Sequence, residues 1–572
     1  MREVQEGVQD IELKSFIKSG VEATCRSLDD DSNHEEDEED LEIDLRDSNF
    51  PWVLASLWNN SALAALDGTI VSTTVNDIAS RFQQASMVTW VATAYLLTTT
   101  ATQPLYGKVS DIIGRRRCLL FAESTFALGV LLCNFSKSIP QLAIARAICG
   151  VGGSGNSAMS NIMLSDILPL SERALYWSYG AILVAVFQGI GGPLGGVLLK
   201  LFGLHGLFIP QVPFCLGSLY LSYRYVQDYK QDSNGSWRKI DFGGSLCLLV
   251  GISSFILFFS ANDGVTNLED SSWPAYKKWS CGLLILSVLS FMMIEKYIAV
   301  ESVIPISILQ GTLGLMVFIQ GFVAMVSYTC LFMVPLYLQL VWGVSVSSSG
   351  GYIMFIVLSS SLGSMVTSWI IKRVARPTRE STMFCSAGAI FYMSALSLAG
   401  YYLMRGAIYN SKPVYGNDTI SKEYNWALLF GITLLGACQG SQNVTIMLYN
   451  VAKVGRKEQA SSTSVNLLFR SLGNVLSVSI SFNVFTNCLK KTLGEVLRGK
   501  DDMLLMTLLR DNAYLRSEEM PPAQIMPILD AFRKALAKSF VPSEWCLILS
   551  FILSTMLFAV VWKRSTTPKF SG

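Results

Sequence analysis

The chain has 572 residues, of which 51% are apolar and 15% charged, and its formal net charge is +1. A soluble chain of this length would form several domains, and a nucleic-acid-binding chain would carry a large positive excess. The two histidines, His34 and His205, are too far apart to suggest a histidine-based zinc site or acid–base dyad. The cysteines stand singly, without metal-ligand spacing, so no metal and no other cofactor is expected.

The first segment, residues 1–51, predicts a disordered acidic tail in the cytoplasm. Residues 29–40 are almost continuously acidic, and no apolar stretch in the segment could serve as a cleaved signal peptide. A like-charge block of this kind is typical of a solvated tail. The tail could instead carry a sorting signal or a phosphorylation site at Ser32.

From Trp52 onward, fourteen apolar stretches have about the length of a membrane span, which needs roughly 20 residues. Lysine and arginine concentrate in the short connections on one side, which the positive-inside rule assigns to the cytoplasm. The long connection 488–542 adds bases to the opposite side, here called the far side, but together with matching acids. The stretches lie near 52–75, 87–106, 118–135, 139–165, 174–199, 206–226, 242–261, 279–298, 312–340, 348–371, 382–404, 425–450, 463–487 and 543–562.

The first span contains a carboxylate, Asp67, and the fourth contains an arginine, Arg146. Asp67 follows Trp52 by roughly 22 Å of helix, and Arg146 lies about 10 Å from the far-side end of its span. Both therefore reach a similar depth, in the far-side third of the membrane. An intramembrane carboxylate predicts function, here a titrating group that exchanges a proton for a cation. A permanent structural ion pair with Arg146 is the alternative.

The hydrophilic hinge between the second and third spans, residues 107–117, combines one acid, Asp111, with a cluster of bases that ends in Arg115–Arg117. Its pattern resembles the signature loop of the major facilitator superfamily. The resemblance implies that Asp111 and Arg115 belong to a charge network that closes the cytoplasmic side; a basic loop that only fixes topology is the alternative. The predicted cytoplasmic gate consists of Gly107, Asp111, Gly114, Arg115 and Arg116.

The fifth span carries a run of small residues around a proline. Small residues allow helices to approach closely, and proline bends the span. Packing alone could explain the run, but its order also resembles the fifth-helix motif of proton antiporters, with Gln188 in place of the usual leading glycine. The motif residues are Gly192, Pro193, Gly195 and Gly196.

Further motifs narrow the resemblance. Residues 66–71, 240–244, 337–345 and 470–474 resemble the fourteen-helix drug:proton antiporter family over 52–562. Residues 103–108, 145–150, 470–474 and 529–534 look most like the fungal vacuolar basic amino acid transporters. This resemblance implies proton-driven antiport of lysine, arginine or histidine from the cytosol into the vacuole by alternating access. A plasma-membrane multidrug or siderophore exporter and a non-transporting nutrient sensor are the alternatives; no enzyme motif is present.

Two further charged residues inside spans have two interpretations each. Glu123, in span three, either pairs with an arginine of the hinge or is a second acid of the substrate cavity. Arg470, in span thirteen, either binds a substrate carboxylate or joins a buried network with Asn466 and Asn474.

The predicted fold is an all-α membrane protein of the major facilitator type. Two six-helix bundles, 52–226 and 312–562, flank a linker, 227–311, that contains two inserted helices; a cytoplasmic tail, 563–572, follows. A monomer is expected. Within the far-side loop 488–542, Ile528, Phe532 and Leu536 share one helical face, which predicts a helix lying on the membrane or packing over the far-side mouth. Asn134 and Asn417 begin glycosylation sequons in far-side loops.

Overall fold

The structure, a computed structural model, describes most of the chain from residue 49 onward. Residues 1–48 and 567–572 of the predicted cytoplasmic tails and Asn417 lie outside the described residues, whereas residues 50–51 and 563–566 belong to the first and last helices. Over the described ranges all regular secondary structure is helical, and the predicted all-α fold is confirmed. These ranges are 49–82, 87–167, 170–203, 206–227, 241–260, 275–297, 308–374, 378–411, 426–454, 456–497, 502–510, 514–515 and 522–566.

The first eight helices coincide with the first eight predicted spans. Gly114 separates the second from the third; its φ of 98° is a conformation that favours glycine. The helices are α1 (Phe50–Phe82), α2 (Thr89–Ile113), α3 (Arg115–Phe135), α4 (Ile139–Ile167), α5 (Leu170–Phe202), α6 (Gln211–Tyr225), α7 (Phe242–Ser260) and α8 (Ala275–Tyr297).

The remaining helices include two that are not spans. With 42 residues, α13 is about 63 Å long, twice the roughly 30 Å bilayer core, so it extends well beyond the membrane. The helices are α9 (Gly311–Leu340), α10 (Val346–Val374), α11 (Arg379–Asn410), α12 (Trp426–Lys453), α13 (Arg456–Leu497), α14 (Asp502–Arg510), α15 (Pro522–Ser539) and α16 (Val541–Thr566).

Some helices packed inside the protein are less apolar than helices that face lipid. Eight stretches of the described chain are long and apolar enough to cross a membrane. Helices α1, α2, α4, α6 and α12 are not among them, and α7 is a shorter apolar helix; α1 and α4 carry the buried charges Asp67 and Arg146. A helix that packs against other helices and an aqueous cleft meets little lipid, so polar residues cost it less.

Helices α1–α6 form the amino-terminal bundle, and α9–α13 with α16 form the carboxyl-terminal bundle. In the first, α1 packs against α4, α5 and α6; in the second, α9 packs against α13 and α16. The inserted helices α7 and α8 pack chiefly on each other, and α7 also contacts α2 and α13, one helix from each bundle. The insertion therefore lies beside the boundary between the bundles. The exact domain limits stay a prediction.

The hydrophobic core divides differently on the two sides of the membrane. In the far-side half, one continuous core joins both bundles and includes Ile70 and Val91 of the first with Val334 and Phe482 of the second. In the cytoplasmic half, each bundle has its own core, as around Leu119 in the first and Ile319 in the second. The apolar cores of the bundles are therefore shared on the far side and separate toward the cytoplasm, where Ser471 Oγ of α13 donates to Gln103 Oε1 of α2 at 3.3 Å.

The amphipathic helix predicted in the far-side loop is confirmed as α15. Ile528, Phe532 and Leu536 are fully buried against α13 and the ends of α9 and α11. Arg533 donates a hydrogen bond to the carbonyl oxygen of Tyr409, at the end of α11, and its guanidinium lies 5.7 Å from that ring's centroid. Of the two predicted positions, packing on the bundle is the one observed.

Candidate proton and substrate site

The structure pairs the two intramembrane charges that the sequence placed at a similar depth. Arg146 Nη1 lies 2.5 Å from Asp67 Oδ2, and the two residues are 1% and 0% exposed. Removing one member of such a buried pair leaves an uncompensated charge, at a cost of about 3–5 kcal/mol. Asp67 Oδ1 and Arg146 Nε have no hydrogen-bond partner, so each side chain keeps an atom free for another contact.

Helix α2 holds the arginine from its other side. The Arg146 guanidinium lies 4.5 Å from the centroid of the Tyr95 ring, a cation–π geometry. Glycines in α4 allow this approach: a Cβ at Gly150 would lie 2.4 Å from the Tyr95 carbonyl oxygen, and one at Gly153 would lie 2.6 Å from the Tyr95 hydroxyl. The glycine run of span four is therefore a packing surface around the ion pair.

The opposite bundle contributes a positive charge, Arg470, for which the described residues provide no acidic partner. Its side chain is exposed; it lies within electrostatic range of the Tyr328 hydroxyl, and Tyr328 lies within electrostatic range of Tyr95. The predicted alternative, a buried network with Asn466 and Asn474, is wrong: Arg470 is not buried, and no hydrogen bond joins it to either asparagine among the described residues. Tyr95 and Tyr328 therefore lie in the region between the Asp67–Arg146 pair and the exposed guanidinium on the other bundle.

The glycine–proline motif of α5 lies at a close crossing with α10 in the far-side half. A Cβ at Gly192 would lie 2.7 Å from Gly350 Cα, and one at Gly196 would lie 2.3 Å from the Ser347 amide nitrogen. Ser347 Oγ donates to the Pro193 carbonyl oxygen at 3.1 Å. Gly195 has more room, with its nearest contacts at 3.4 Å on α1. The motif therefore closes the far side by backbone contact between the bundles.

A second hydrogen bond joins the bundles on the far side. Gln339 Nε2, at the end of α9, donates to the Thr73 carbonyl oxygen of α1 at 2.8 Å and to Ser349 Oγ at 2.9 Å. Beside it lies a cavity of about 20 Å³ lined by Asn76 and Phe482, room for one water molecule. No open path to Asp67 from the far side is evident among these residues.

In the cytoplasmic gate, Arg115 has an acidic partner that the sequence analysis did not single out. Its Nε lies 3.0 Å from Asp166 Oδ2 of α4, and its Nη1 donates to Ser110 Oγ and, at 3.5 Å, to the Gly107 carbonyl oxygen. An acid at the cytoplasmic end of span four, opposite a basic hinge, was the signal that could have found it. The side chain of Asp111 lies outside the described residues, so its predicted place in the network stays a prediction.

The next arginine of the hinge holds a different helix. Arg116 Nη2 donates to the Tyr223 carbonyl oxygen of α6 at 2.5 Å, and its guanidinium lies 5.4 Å from the Tyr223 ring centroid. This contact lies within the amino-terminal bundle. Arg116 therefore anchors α3 to α6, whereas Arg115 connects α3 with α4.

Neither predicted interpretation of Glu123 is correct. The carboxylate is 2% exposed and bonds to Asn60 of α1 and to Ser218 and Ser222 of α6, and no arginine among the described residues pairs with it. Residue Glu123 is eight positions into α3, and its side chain points into the bundle rather than toward the hinge or the cleft. A sequence that shows only depth along a helix does not show which face of the helix a residue occupies.

The sequon at Asn134 does not present an accessible acceptor. Asn134 is in the last turn of α3 and is 9% exposed, with its Oδ1 buried. The prediction placed it in a far-side loop, but α3 continues through Phe135 and turns the side chain inward. The predicted glycosylation at Asn134 is therefore not supported by the folded structure.

Two helical bundles, a buried ion pair at the bundle boundary and a closed far side together define a multi-pass membrane carrier. The model of the Major Facilitator Superfamily matches residues 57–478, so the chain belongs to that superfamily. "Vacuolar basic amino acid transporter 1" of Saccharomyces cerevisiae is 32% identical over 92% of this chain and 95% of its own. "Multidrug resistance protein fnx1" of Schizosaccharomyces pombe is 32% identical over 79% and 82%. The predicted resemblance is confirmed.

A solved structure supports the fold. A bacterial homologue of the human lysosomal transporter Spinster, in an inward-facing and occupied conformation, matches with a TM-score of 0.56 at 15% identity. The match covers 91% of this chain and 98% of that one. At this identity the likeness concerns the fold alone.

Proposed function

We propose that this transporter is a proton-coupled antiporter that moves basic amino acids from the cytosol into the vacuole. The observation that carries the proposal is the buried Asp67–Arg146 pair beneath a sealed far side. The names of relatives that transport basic amino acids at vacuoles support the substrate and the membrane. The resemblance to a proton antiporter family supports the coupling ion.

In the proposed cycle, substrate binds from the cytoplasmic side. The Asp67–Arg146 pair is neutral as a unit, so a cation can approach Asp67 without net repulsion from the pair. A basic amino acid presents a side-chain cation and an α-carboxylate about one side-chain length away. Asp67, with its free Oδ1, receives the cation, and the exposed guanidinium of Arg470 receives the carboxylate. Because the two groups lie on different bundles, the ligand connects them.

Release then depends on a proton from the far side. Protonation of Asp67 removes its negative charge and leaves Arg146 as an uncompensated cation, which repels a cationic substrate. The proton and the cationic substrate therefore exclude each other at Asp67. Mutual exclusion at one site is sufficient for exchange, provided the site faces one side of the membrane at a time.

Uptake into isolated vacuoles tests the proposal. Vacuoles with and without the protein would be energised with a proton gradient and offered radiolabelled lysine, arginine, histidine and neutral amino acids in turn. We expect uptake of the basic amino acids to depend on the protein and to stop when an ionophore collapses the gradient. Uptake of neutral amino acids should be unchanged. Normal uptake of every basic amino acid by vacuoles that lack the protein would contradict the proposal.

The alternative function is export of drugs or siderophores across the plasma membrane. It is favoured by the multidrug resistance protein among the relatives, which matches at the same 32% identity as the vacuolar transporter. Localisation of a tagged full-length chain, together with efflux of a fluorescent drug from intact cells, distinguishes the two. Plasma-membrane staining with protein-dependent efflux would favour the alternative; specific binding of lysine without any flux would favour a sensor.

A further inference from the structure

A buried acid outside the transport pathway lacks any role in the cycle described above. Glu123 of α3 points into a polar pocket formed with Ser56 and Asn60 of α1 and Ser218 and Ser222 of α6, here called the Glu123 pocket. All five residues are buried; Ser56 and Ser222 are 0% exposed, and Glu123 is 2% exposed. Because a buried carboxylate is unfavourable, its negative charge must be either compensated by a cation or removed by a proton.

Every hydrogen bond of the carboxyl group falls on one oxygen. Glu123 Oε1 accepts from Asn60 Nδ2 at 2.5 Å, from Ser222 Oγ at 2.7 Å and from Ser218 Oγ at 3.2 Å. Ser222 also bonds to Ser56, and the single hydroxyl hydrogen of Ser218 is shared between Glu123 Oε1 and the nearer Asn60 Oδ1, at 2.7 Å. Glu123 Oε2 is buried and has no partner. The pocket thus leaves one carboxyl oxygen free to carry a ligand.

No base in the described part of the chain pairs with Glu123. The thiol of Cys215 on α6 lies within electrostatic range of both Glu123 and Asp67. An isolated carboxylate in a low-dielectric interior costs far more than hydrogen bonds to neutral groups return. The pocket must therefore hold a positive charge, either a proton or a small metal cation.

The oxygen spacing decides between the two. Around a cation of the size of Na⁺ or Ca²⁺, oxygen ligands stand about 2.3–2.6 Å from the ion, so neighbouring ligands are held about 3 Å or more apart. In the Glu123 pocket, the oxygens of Ser222 and Glu123 are 2.7 Å apart, as are those of Ser218 and Asn60. These are hydrogen-bond lengths and leave no space for an ion between the oxygens.

We propose that the Glu123 pocket is a proton-binding site, separate from the Asp67–Arg146 pair. At neutral pH the proton is bound at Oε2, and the neutral acid joins α1, α3 and α6 through Oε1. Because the pocket is closed within one bundle, the proton stays bound while the bundles move. The site does not depend on the substrate or on the coupling role of Asp67.

Infrared difference spectroscopy on the purified full-length protein in lipid nanodiscs tests the proposal. A protonated carboxylic acid gives a carbonyl stretch distinct from that of a carboxylate, and the band shifts in heavy water. We expect such a band at neutral pH in the wild-type protein and its loss in Glu123→Gln. Glu544→Gln is the matched control: Glu544 pairs with Arg405 as a carboxylate, so its loss should leave the band unchanged.

Two further measurements keep the proposal falsifiable if Glu123→Gln folds poorly. Ser222→Ala removes one donor to Oε1 but keeps the acid, so the band should persist and move to higher frequency. Replacing potassium by sodium in the buffer should leave it unchanged. Absence of a Glu123-dependent band at neutral pH, or its loss in sodium, would overturn the proposal; the second result would identify a cation site instead. Neither result bears on whether Asp67 couples transport, which the flux measurements test.

Discussion

The far-side and cytoplasmic halves of the molecule join the same two bundles by different physical means. In the far-side half, apolar side chains of both bundles merge into one core, and Gly192 packs directly on Gly350. In the cytoplasmic half, the cores are separate, and the Arg115–Asp166 pair lies within the amino-terminal bundle. Close contact between helix backbones therefore closes the far side, whereas charged residues of the hinge lie on the cytoplasmic side.

This difference between the two halves explains how the protein can be closed on the far side while the cytoplasmic side opens more readily. The attraction between packed apolar atoms falls steeply as they separate. A tightly packed helix crossing is therefore either closed or open, and intermediate separations are poorly populated. Partly exposed ion pairs contribute less and can be exchanged at lower cost. The buried Asp67–Arg146 pair lies next to the shared far-side core, so a change in its charge can bias the closed half.

The largest effect is expected at this pair. Arg146→Ala should abolish uptake, because it leaves Asp67 buried without a partner at a cost of about 3–5 kcal/mol. Arg146→Lys should keep partial activity, since it retains the charge but loses the planar fork and the stacking on Tyr95. Uptake into vacuoles, corrected for the amount of protein, measures both. Full activity of Arg146→Ala would show that the pair is dispensable.

A methyl group added at the crossing of α5 and α10 should destabilise the closed far side. In Gly350→Ala, the new Cβ would lie 2.3 Å from the backbone carbon of Gly192, and overpacking costs about 1–3 kcal/mol. We expect about a tenfold fall in uptake. Labelling of a cysteine introduced at Asn76, beside the bundle boundary, should rise when a membrane-impermeant reagent is applied from the far side.

The neighbouring glycine is the matched control for this change. A Cβ at Gly351 would meet no atom within 4 Å, so Gly351→Ala should leave uptake and labelling as in the wild-type protein. Equal effects at the two positions would mean that helix propensity, rather than the crossing, governs the result. Normal uptake in Gly350→Ala would show that the close approach does not seal the far side.

A smaller effect is expected in the cytoplasmic half. Arg115→Ala and Asp166→Asn should each lower turnover about two- to fivefold, since their pair is only partly exposed and such pairs contribute about 1 kcal/mol. The double variant should be no worse than either single one. Cytosolic substrate should still bind, because neither residue lies in the cleft, and the exposed Arg117→Ala serves as the control. Loss of binding in step with turnover would make the pair a folding determinant.

The smallest effect is expected in the far-side helix α15. Burial opposes ionisation of Asp530, but hydrogen bonds and positive charge from Lys534 and Arg533 hold its pKa below the usual value. Such a carboxylate stabilises the fold above its unfolded-state pKa of about 4, and this contribution is lost as pH falls through the lower folded-state value.

Asp530→Asn should therefore lower stability at neutral pH by about 0–1 kcal/mol and make no difference in strong acid. Thermal melts of the two proteins across this pH range measure the difference. A stability gap between them that grows as the pH falls would contradict the assigned sign.

Sequence alone indicated most of the fold and part of the site. Length and charge gaps located the spans, and depth along the helices correctly predicted that Asp67 and Arg146 could meet. Depth could not place Glu123, because helical facing depends on which neighbours pack there. Asp166 was missed because an acid near a span end is common and gains meaning only when α4 brings it to Arg115. Gly350 had no motif; its importance lies in the contact with Gly192.

The proton flux of Asp67→Asn tests the central claim most directly. Asparagine has nearly the same shape as protonated Asp67. It leaves Arg146 unpaired, as the protonated state of the proposed cycle also does. We therefore expect the variant to fold and to reach its membrane. In proteoliposomes, lysine added to one side should drive a pH change on the other with the wild-type protein and with Glu123→Gln. We predict no pH change and no gradient-driven uptake with Asp67→Asn. Uptake by Asp67→Asn at the wild-type rate and pH dependence would contradict the account.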